Sequence, residues 1–357
     1  MEHRGTSTAR RRIVVVSASF GAGHDGAAAE LSRRLRALGH QVDRHDFVDL
    51  VPRRAGARLR GLYRRQLTVL PHSWGWLLAL AGAPRLAGAA AALTASADDA
   101  LLAAIGDASA VVSTYPLASQ VLGRLRRQGR LAATAITYLT DLSVHPLWIA
   151  DGVDVHLALH DDVARQAKVL GATDVRVVAP AVAPAFTELV PADALAAVRA
   201  RLGLPAAPIA LVVAGAWGVG SVERAAQDVA ATGLAVPVVA CGRNDALRRR
   251  LNRSGRVVAL GWIDDMATLM RACQVVVQNA GGLSSLEALT AGVPVVTYRC
   301  LPGHGATNAE ALDRIGWVPW IRRRRDLAAG LRAALDRQDR FTPAAALPES
   351  FTHLVAA

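Results

Sequence analysis

Cysteine is scarce in this chain. Cys241, Cys273 and Cys300 are the three cysteines in 357 residues. They are widely spaced and form no C-x-x-C pair, so neither a zinc site nor a disulfide framework is expected, and a reducing compartment fits. No Asp-x-Asp occurs anywhere. A divalent metal bridging a diphosphate is therefore not indicated, and no metal ligands are expected. Long apolar runs are missing too. The start, residues 1–12, is polar and basic, and the apolar run 13–16 is too short for the h-region of a signal peptide. Residues 66–84 contain no Asp, Glu, Lys or Arg, but Pro71, His72 and Ser73 interrupt them, and Pro84 and Arg85 close the run. A membrane span needs about 20 largely apolar residues, so an amphipathic, surface-lying segment is the expectation. No short-period repeat is evident.

Acidic residues are outnumbered, 29 Asp+Glu against 41 Lys+Arg, for a net charge of +12. Such a charge favours anionic partners: nucleic acid, an acidic lipid surface or phosphorylated substrates. A general abundance of arginine accounts for it equally well without a partner. Apolar residues make up 52 % and charged residues 20 %, the balance of a globular protein rather than a disordered one.

The length favours two domains. Short β-branched runs alternate with helical stretches. Residues 13–19, 41–47, 110–113, 133–139, 155–159 and 175–178 read as strands, with helices at 26–38 and 117–128. A proline-punctuated linker follows at 179–184. After a helix near 193–202 the pattern restarts, with strands at 209–214, 236–241, 257–260, 275–278 and 293–297. The fold class expected is α/β, two Rossmann-like doubly wound domains of parallel strands with helices on both faces, facing across a cleft. Ligands in such sheets bind at the carboxyl ends of the strands.

Three strand-to-helix turns carry candidate chemistry. The first, Gly21-Ala22-Gly23-His24-Asp25-Gly26, matches GxGxxG, and Asp43 and Asp46 fall about where the ribose-binding acid of a dinucleotide fold would lie. A tight turn explains the glycines as well. His24 stands at the mouth of this loop, and an imidazole with an ordinary pKa of about 6.5 suits proton abstraction near neutrality. The second loop, Gly215-Ala216-Trp217-Gly218-Val219-Gly220, can cradle a diphosphate with backbone amides and the positive end of the next helix. The third runs from Asn279 through Gly281, Gly282, Ser284 and Ser285 to Glu287 and Leu289. Glu287 falls in the first or second turn of a helix, where its carboxylate can accept from both hydroxyls of a ribose. Ser284 and Glu287 also satisfy the capping box S-x-x-E. Residues 301–308, with His304 and Asn308, read as a loop able to face sugar hydroxyls. Without a metal, amides, helix ends and arginines would neutralise a leaving diphosphate. In residues 53–80, Arg53, Arg54, Arg58, Arg60, Arg64 and Arg65 precede Trp74, Trp76, Leu77 and Leu78. Cations, tryptophans and leucines together suit a membrane interface. A solvated helix followed by a core helix is the plainer reading.

Taken together, these segments resemble the monogalactosyldiacylglycerol synthase and processive diacylglycerol glycosyltransferase group of glycosyltransferase family 28, over roughly residues 13–317. The resemblance rests on Ser17-Ala18-Ser19-Phe20-Gly21-Ala22-Gly23-His24, the stretch from Tyr138 through Thr140, Asp141, His145 and Pro146 to Trp148, Gly242-Arg243-Asn244, Gly261-Trp262-Ile263-Asp264-Asp265-Met266, and Gly281 to Glu287.

It implies the GT-B fold and an inverting transfer of a hexose from a UDP-sugar co-substrate to a lipid hydroxyl, such as that of diacylglycerol. No other cofactor and no nucleic acid are implied. The place of action is the cytoplasm, peripheral to the inner face of the cell membrane, against an anionic lipid surface. His24 matches the proposed base, and Asp141 lies where it can orient His24 or the acceptor. Ile263 and Met266 match the uracil-contacting loop and Glu287 the ribose-binding acid. Gly215 and Gly218 lie near the diphosphate. Gly281, Gly282, Ser284, His304 and Asn308 fall on the donor side; Gly21, Gly23 and His145 on the acceptor side or beside a phosphate. Residues 1–186 would be the acceptor domain and 187–357 the nucleotide-sugar domain, with the last helix packing back on the first. The sequence departs from the family at Ser19-Phe20, at Asn279 in place of a lysine, and at Pro302-Gly303-His304-Gly305 in place of a PGQE-type loop. Three other functions fit parts of the chain: the same fold with a soluble small-molecule acceptor, an NAD-dependent oxidoreductase, and a non-catalytic sugar-nucleotide-binding protein.

Overall fold

The protein is represented by a computed structural model that describes residues 10–19, 22–51, 94–255, 257–279 and 282–336. The expectations for residues 53–80, for Gly21 and Gly281, and for a helix at the end of the chain lie outside the described residues.

Two six-stranded sheets, all parallel, organise the chain. The first contains β1 (Arg12–Ser17), β2 (Gln41–Asp46), β3 (Ala110–Ser113), β4 (Thr134–Tyr138), β5 (Val155–Ala158) and β6 (Val175–Val177), in the order β2-β1-β3-β4-β5-β6. The second contains β7 (Ile209–Val213), β8 (Val236–Ala240), β9 (Val258–Leu260), β10 (Val275–Gln278), β11 (Val295–Tyr298) and β12 (Trp320–Ile321), in the order β12-β11-β10-β7-β8-β9. In β1, Val14 stands opposite Asp43 of β2 and Val111 of β3. The central strands read as unbroken apolar runs because helices cover both of their faces. Val14, Val16 and Val111 face Leu101, Ile105, Val121 and Leu125, while Ile13, Val15 and Ile136 face Leu31 and Leu35. This second apolar cluster continues into the other sheet, through Ile209, Leu211, Val276, Leu286 and Leu312.

The proline-rich linker is clamped to both halves. Tyr138 is buried and its hydroxyl accepts from Ala181 N at 2.7 Å, while Arg34 donates to Pro180 O at 3.1 Å. From the second half, Arg271 donates to Ala185 O at 2.8 Å and to Phe186 O at 2.6 Å.

Three local expectations are corrected. The first helix is Ala22–Ala37, so it begins four residues earlier than its glycines suggest and takes His24 into its first turn. Asp25, an acid in that turn, accepts from Ser17 Oγ at 2.6 Å and complements the positive helix end. Residues 304–308 are not a loop: a helix, His304–Arg314, begins there, after Gly303 at φ 74 has turned the chain through the left-handed region. The capping box is not formed. Gly282 occupies the N-cap of helix Leu283–Thr290 with no side-chain cap, which places Ser284 second in the helix and Glu287 in its second turn. The short edge strand β12 is too brief to show a period. Among the described residues no helix is long and apolar enough to cross a membrane.

Candidate active site

His24 is held by the end of β3. Its Nδ1 lies 2.7 Å from the carbonyl oxygen of Thr114, and Thr114 Oγ1 in turn donates to His24 O at 3.1 Å. A carbonyl only accepts, so Nδ1 carries the proton and Nε2 carries the lone pair. Thr140 Oγ1 is 3.2 Å from the same Nδ1. The ring packs edge-on to Tyr115 at 5.5 Å and beside Trp148 at 6.0 Å. Burial lowers the His24 pKa below its ordinary value; the charge of Asp141 and the Thr114 carbonyl act the other way and do not outweigh it. The imidazole is therefore neutral near pH 7, with Nε2 able to take a proton.

Asp141 makes no hydrogen bond to His24, one of the two groups it was expected to orient. It is 7 % exposed and accepts from His304 Nε2 at 3.0 Å, from Trp148 Nε1 at 3.2 Å and from Asn308 Nδ2 at 3.3 Å. Burial works to raise its pKa, but His304, joined by His24 and His145, outweighs this and holds the carboxyl well below the usual range. His304 is shifted the opposite way: burial opposes its charge, and Asp141 overcomes that and raises its pKa. The two form a hydrogen-bonded pair, ionic when His304 is protonated, that joins the first half of the chain to the second. Asn308, buried, completes the junction. Its Oδ1 accepts from Leu142 N at 3.1 Å, Ser143 N at 3.0 Å and Ser143 Oγ at 3.0 Å. With Oδ1 accepting three bonds and Nδ2 donating to Asp141, the Asn308 side chain bridges the two halves, a role the donor-side expectation did not contain. His145 lies between Trp148 and His304, its ring 6.0 Å and 6.3 Å from theirs. Burial pushes its pKa down to about 4, so it is neutral.

The other side of the site is made of backbone. Gly215, Gly218 and Gly220 all have positive φ, at 66°, 54° and 94°. A Cβ on Gly218 would stand 2.4 Å from Cys241 O, so the loop can cross the end of β8 only as glycine. Asn244 Nδ2 donates to Gly218 O at 3.0 Å, and helix Val222–Ala231 follows. Asn279, at the end of β10, donates from Nδ2 to Val219 O at 2.9 Å, and its own carbonyl accepts from Leu301 N at 2.6 Å. The loops after β7, β10 and β11 are thereby tied together at the carboxyl ends of the second sheet.

Glu287 lies beside these loops, half-buried, and makes no hydrogen bond or ion pair with the described residues. Burial alone pushes its pKa up to about 7. An unpartnered carboxylate in such a place is unusual in a stable core and suits a ligand's hydroxyls. Gly282 and Ser284 open its helix. Ile263 and Met266 are half-buried against the core, and Asp265 caps the helix Met266–Arg271 through Thr268 N at 3.0 Å. Trp262 is 46 % exposed, with the Arg243 guanidinium 4.3 Å over its ring. Gly23 lies in the first helix next to His24.

Residues the sequence did not single out include Thr114, whose main-chain oxygen is the partner of His24, and Ser143. The acids expected for a dinucleotide ribose are occupied. Asp43 accepts from Arg12 Nε at 2.7 Å, and Asp46 accepts from Val48 N at 2.9 Å as a helix cap. Among the described residues no group of three or more His, Cys, Asp and Glu is arranged to hold a metal.

Two parallel sheets whose loop-bearing ends meet around His24 and Glu287 define the class: the chain has the GT-B fold of glycosyltransferases. Solved structures of that class superpose on nearly its whole length. Anabaena HepE in complex with UDP-glucose matches with a TM-score of 0.57 and 14 % identity, covering 97 % of this chain and 92 % of the other. Acinetobacter baumannii MurG matches with a TM-score of 0.55 and 16 % identity, covering 97 % and 98 %. Likenesses this distant in sequence bear on fold alone. Within the class, residues 36–179 match the family model for monogalactosyldiacylglycerol (MGDG) synthase, and residues 210–312 match that for glycosyl transferases group 1. The first match is to the group that the motifs resemble, and the second is to a glycosyltransferase model of another name. The processive diacylglycerol beta-glucosyltransferase of Bacillus subtilis (strain 168) is 25 % identical over 238 residues, 64 % of this chain and 61 % of that protein. The enzyme of the same name from Bacillus cytotoxicus is 28 % identical over 237 residues, 63 % and 59 %. The matched region spans about three fifths of the length of these relatives.

Proposed function

We propose that this chain is an inverting glycosyltransferase that moves a hexose from a UDP-sugar to the hydroxyl of a lipid such as diacylglycerol, at the inner face of a membrane. Residues 1–186 take the acceptor and residues 187–357 the nucleotide sugar. The observation that carries the reading is the His24 tautomer: Nδ1 is committed to Thr114 O, and the neutral ring keeps Nε2 for a proton.

Nε2 removes the hydroxyl proton of the acceptor as its oxygen attacks the anomeric carbon from the face opposite the diphosphate. A new glycosidic C–O bond forms, the bond from that carbon to the β-phosphate oxygen breaks, and UDP departs with the electron pair. Backbone amides of the Gly215–Gly220 loop and the start of helix Val222–Ala231 stabilise the charge that develops on UDP. No metal is required in this scheme. Glu287 accepts from the ribose hydroxyls, and Ile263 and Met266 flank the base. The diacylglycerol acceptor is supported by the MGDG synthase match over residues 36–179 and by the names of the Bacillus relatives; the UDP-sugar is supported by the positive-φ glycine loop at 215–220 and by the Glu287 carboxylate, raised in pKa by burial.

Calorimetric titration with UDP, with NAD as comparison, tests the donor half of the scheme. UDP should bind, and Glu287→Ala should weaken it by about tenfold or more, the loss of hydrogen bonds to a charged acceptor. Glu287 has its pKa raised to about 7, so it ionises as pH rises through that value. UDP should then bind more tightly at pH 8 than at pH 6, and a Glu287→Gln variant should lose this dependence. Binding of NAD without UDP would contradict the proposal.

A further inference from the structure

Helix Ala22–Ala37 contains two glycines, Gly23 and Gly26, in its first two turns, on either side of His24. Glycine weakens a helix relative to alanine, so their presence calls for a packing reason. Leu283 supplies one. A Cβ on Gly26 would stand 2.5 Å from Leu283 Cδ2, and one on Gly23 would stand 3.9 Å from Leu283 Cβ. Gly23 and Gly26 are three residues apart and share a helix face, so they form a notch in which the leucine sits. Leu283 is the first residue of helix Leu283–Thr290, the helix that carries Ser284 and Glu287. The helix bearing the base and the helix bearing the ribose carboxylate therefore meet near their N-termini, through one side chain from the second half of the chain.

We propose that Gly26 is a positioning residue: the side chain it lacks is the socket for Leu283, and the seating of Leu283 fixes the distance from His24 to the donor bound at helix Leu283–Thr290. The role rests on the glycosyl-transfer reading above. Beyond Trp148 the two halves are tied a second time, by His304 and Asn308 to residues 141–143. With that tie intact, filling the notch would tilt one helix against the other rather than part the two halves. Proton transfer and attack require the base, acceptor and anomeric carbon to be in register, and a displacement of about 1 Å can cost two orders of magnitude in rate.

An alanine at position 26 meets only the end of a leucine side chain, which can rotate away. A leucine at 26 fills the notch. The test compares Gly26→Ala, Gly26→Leu, Leu283→Ala and the double variant Gly26→Leu/Leu283→Ala. It reads hexose transfer from UDP-glucose or UDP-galactose to diacylglycerol in anionic vesicles, UDP affinity, melting temperature, and the spacing between spin labels at exposed Ala29 and at Thr290, the last residue of helix Leu283–Thr290.

Gly26→Ala should lose about twofold to threefold in kcat with an unchanged or higher melting temperature, since alanine favours the helix. Gly26→Leu should lose at least about tenfold in kcat, with UDP affinity and donor KM within about twofold of the parent, and should lengthen the label spacing. Adding Leu283→Ala should return kcat to within about threefold of Leu283→Ala alone and shorten the spacing again. A merely structural role would lower the melting temperature of Gly26→Leu and show no rescue. Unchanged kcat in Gly26→Leu, or a loss that Leu283→Ala does not relieve, overturns the proposal. Should the parent protein transfer no hexose, the glycosyl-transfer reading fails on its own, and the spacing decides. Lengthening reversed by Leu283→Ala supports the notch; unchanged spacing overturns it.

Discussion

As the proposed base, His24 must be neutral to accept a proton and must be held still to accept it from one direction. The fold meets both needs with groups that carry no charge: the Thr114 carbonyl fixes the tautomer, and burial between Tyr115 and Trp148 disfavours the imidazolium. His24→Ala should lower kcat by about two to four orders of magnitude and leave UDP affinity unchanged, which calorimetry on the variant checks. The lowered pKa sets the sign of the pH profile. The base stays competent below the ordinary imidazole value, so the acid limb of kcat, measured with UDP-sugar saturating so that the ionisation of Glu287 does not enter, should fall at a pH lower than about 6.5; a limb at or above that value would contradict the burial argument. His24 was picked out as a candidate in the sequence because it follows a glycine turn at the end of a strand, where ligands of such sheets bind, although a lone histidine is more often a hydrogen-bonded bystander. Its partner was not, because a main-chain oxygen at the end of β3 leaves no side-chain signature. Asp141 and His304 were both singled out, but as parts of separate sites. They are 163 residues apart in sequence, and no local pattern announces a pair that forms only when two sheets meet.

The strands were the most legible elements, since β-branched runs buried on both faces have few other readings; the described strands other than β12, which was not expected, fall within a residue or two of the expected spans. Helix starts were less so. Gly23 and Gly26 look like breakers, and the side chain that makes them useful, Leu283, comes from the other half of the chain. Gly303 hides a helix start in the same way: a left-handed residue turns the chain and His304 begins the next helix. Strand β5 carries a cost of its own. His156 is 1 % exposed, neither ring nitrogen has a hydrogen-bond partner among the described residues, and burial pushes its pKa down to about 4. The folded protein thus binds a proton there less readily than the unfolded chain does, with its ordinary value of about 6.5. The associated stability is fully present above about pH 6.5 and is lost as pH falls toward 4, amounting to about 3 kcal/mol at the acid end. Denaturant unfolding at pH 7 and pH 4.5 should show this fall, and a His156→Leu variant should show a smaller one. Equal pH sensitivity in the two proteins would assign the acid loss to other groups.

Across the whole molecule, one apolar cluster runs through both sheets, and the linker, the Asp141–His304 pair and Asn308 fasten the same seam. That seam brings the loop-bearing ends of the sheets together, so the helix that carries His24 meets the helix that carries Glu287. The two-domain α/β plan was readable from length and from the restart of the strand pattern after the linker. The closeness of the halves was not, because it rests on contacts such as that of Asp141 with His304, 163 positions apart. A net charge of +12 also acts at this scale. Sedimentation with vesicles should show binding to anionic phospholipid that weakens between about 0.1 M and 0.5 M salt, as screening shortens the reach of the arginines. Equal binding to neutral vesicles would remove the electrostatic contact from the account.

The most direct test of the central claim is to supply diacylglycerol in anionic vesicles with labelled UDP-glucose or UDP-galactose and measure label in the lipid phase against UDP released. The account predicts that labelled glycolipid forms in step with UDP, that a chelator leaves the rate unchanged, and that His24→Ala nearly abolishes formation. UDP binding without labelled lipid from either donor, or full transfer by His24→Ala, would contradict it.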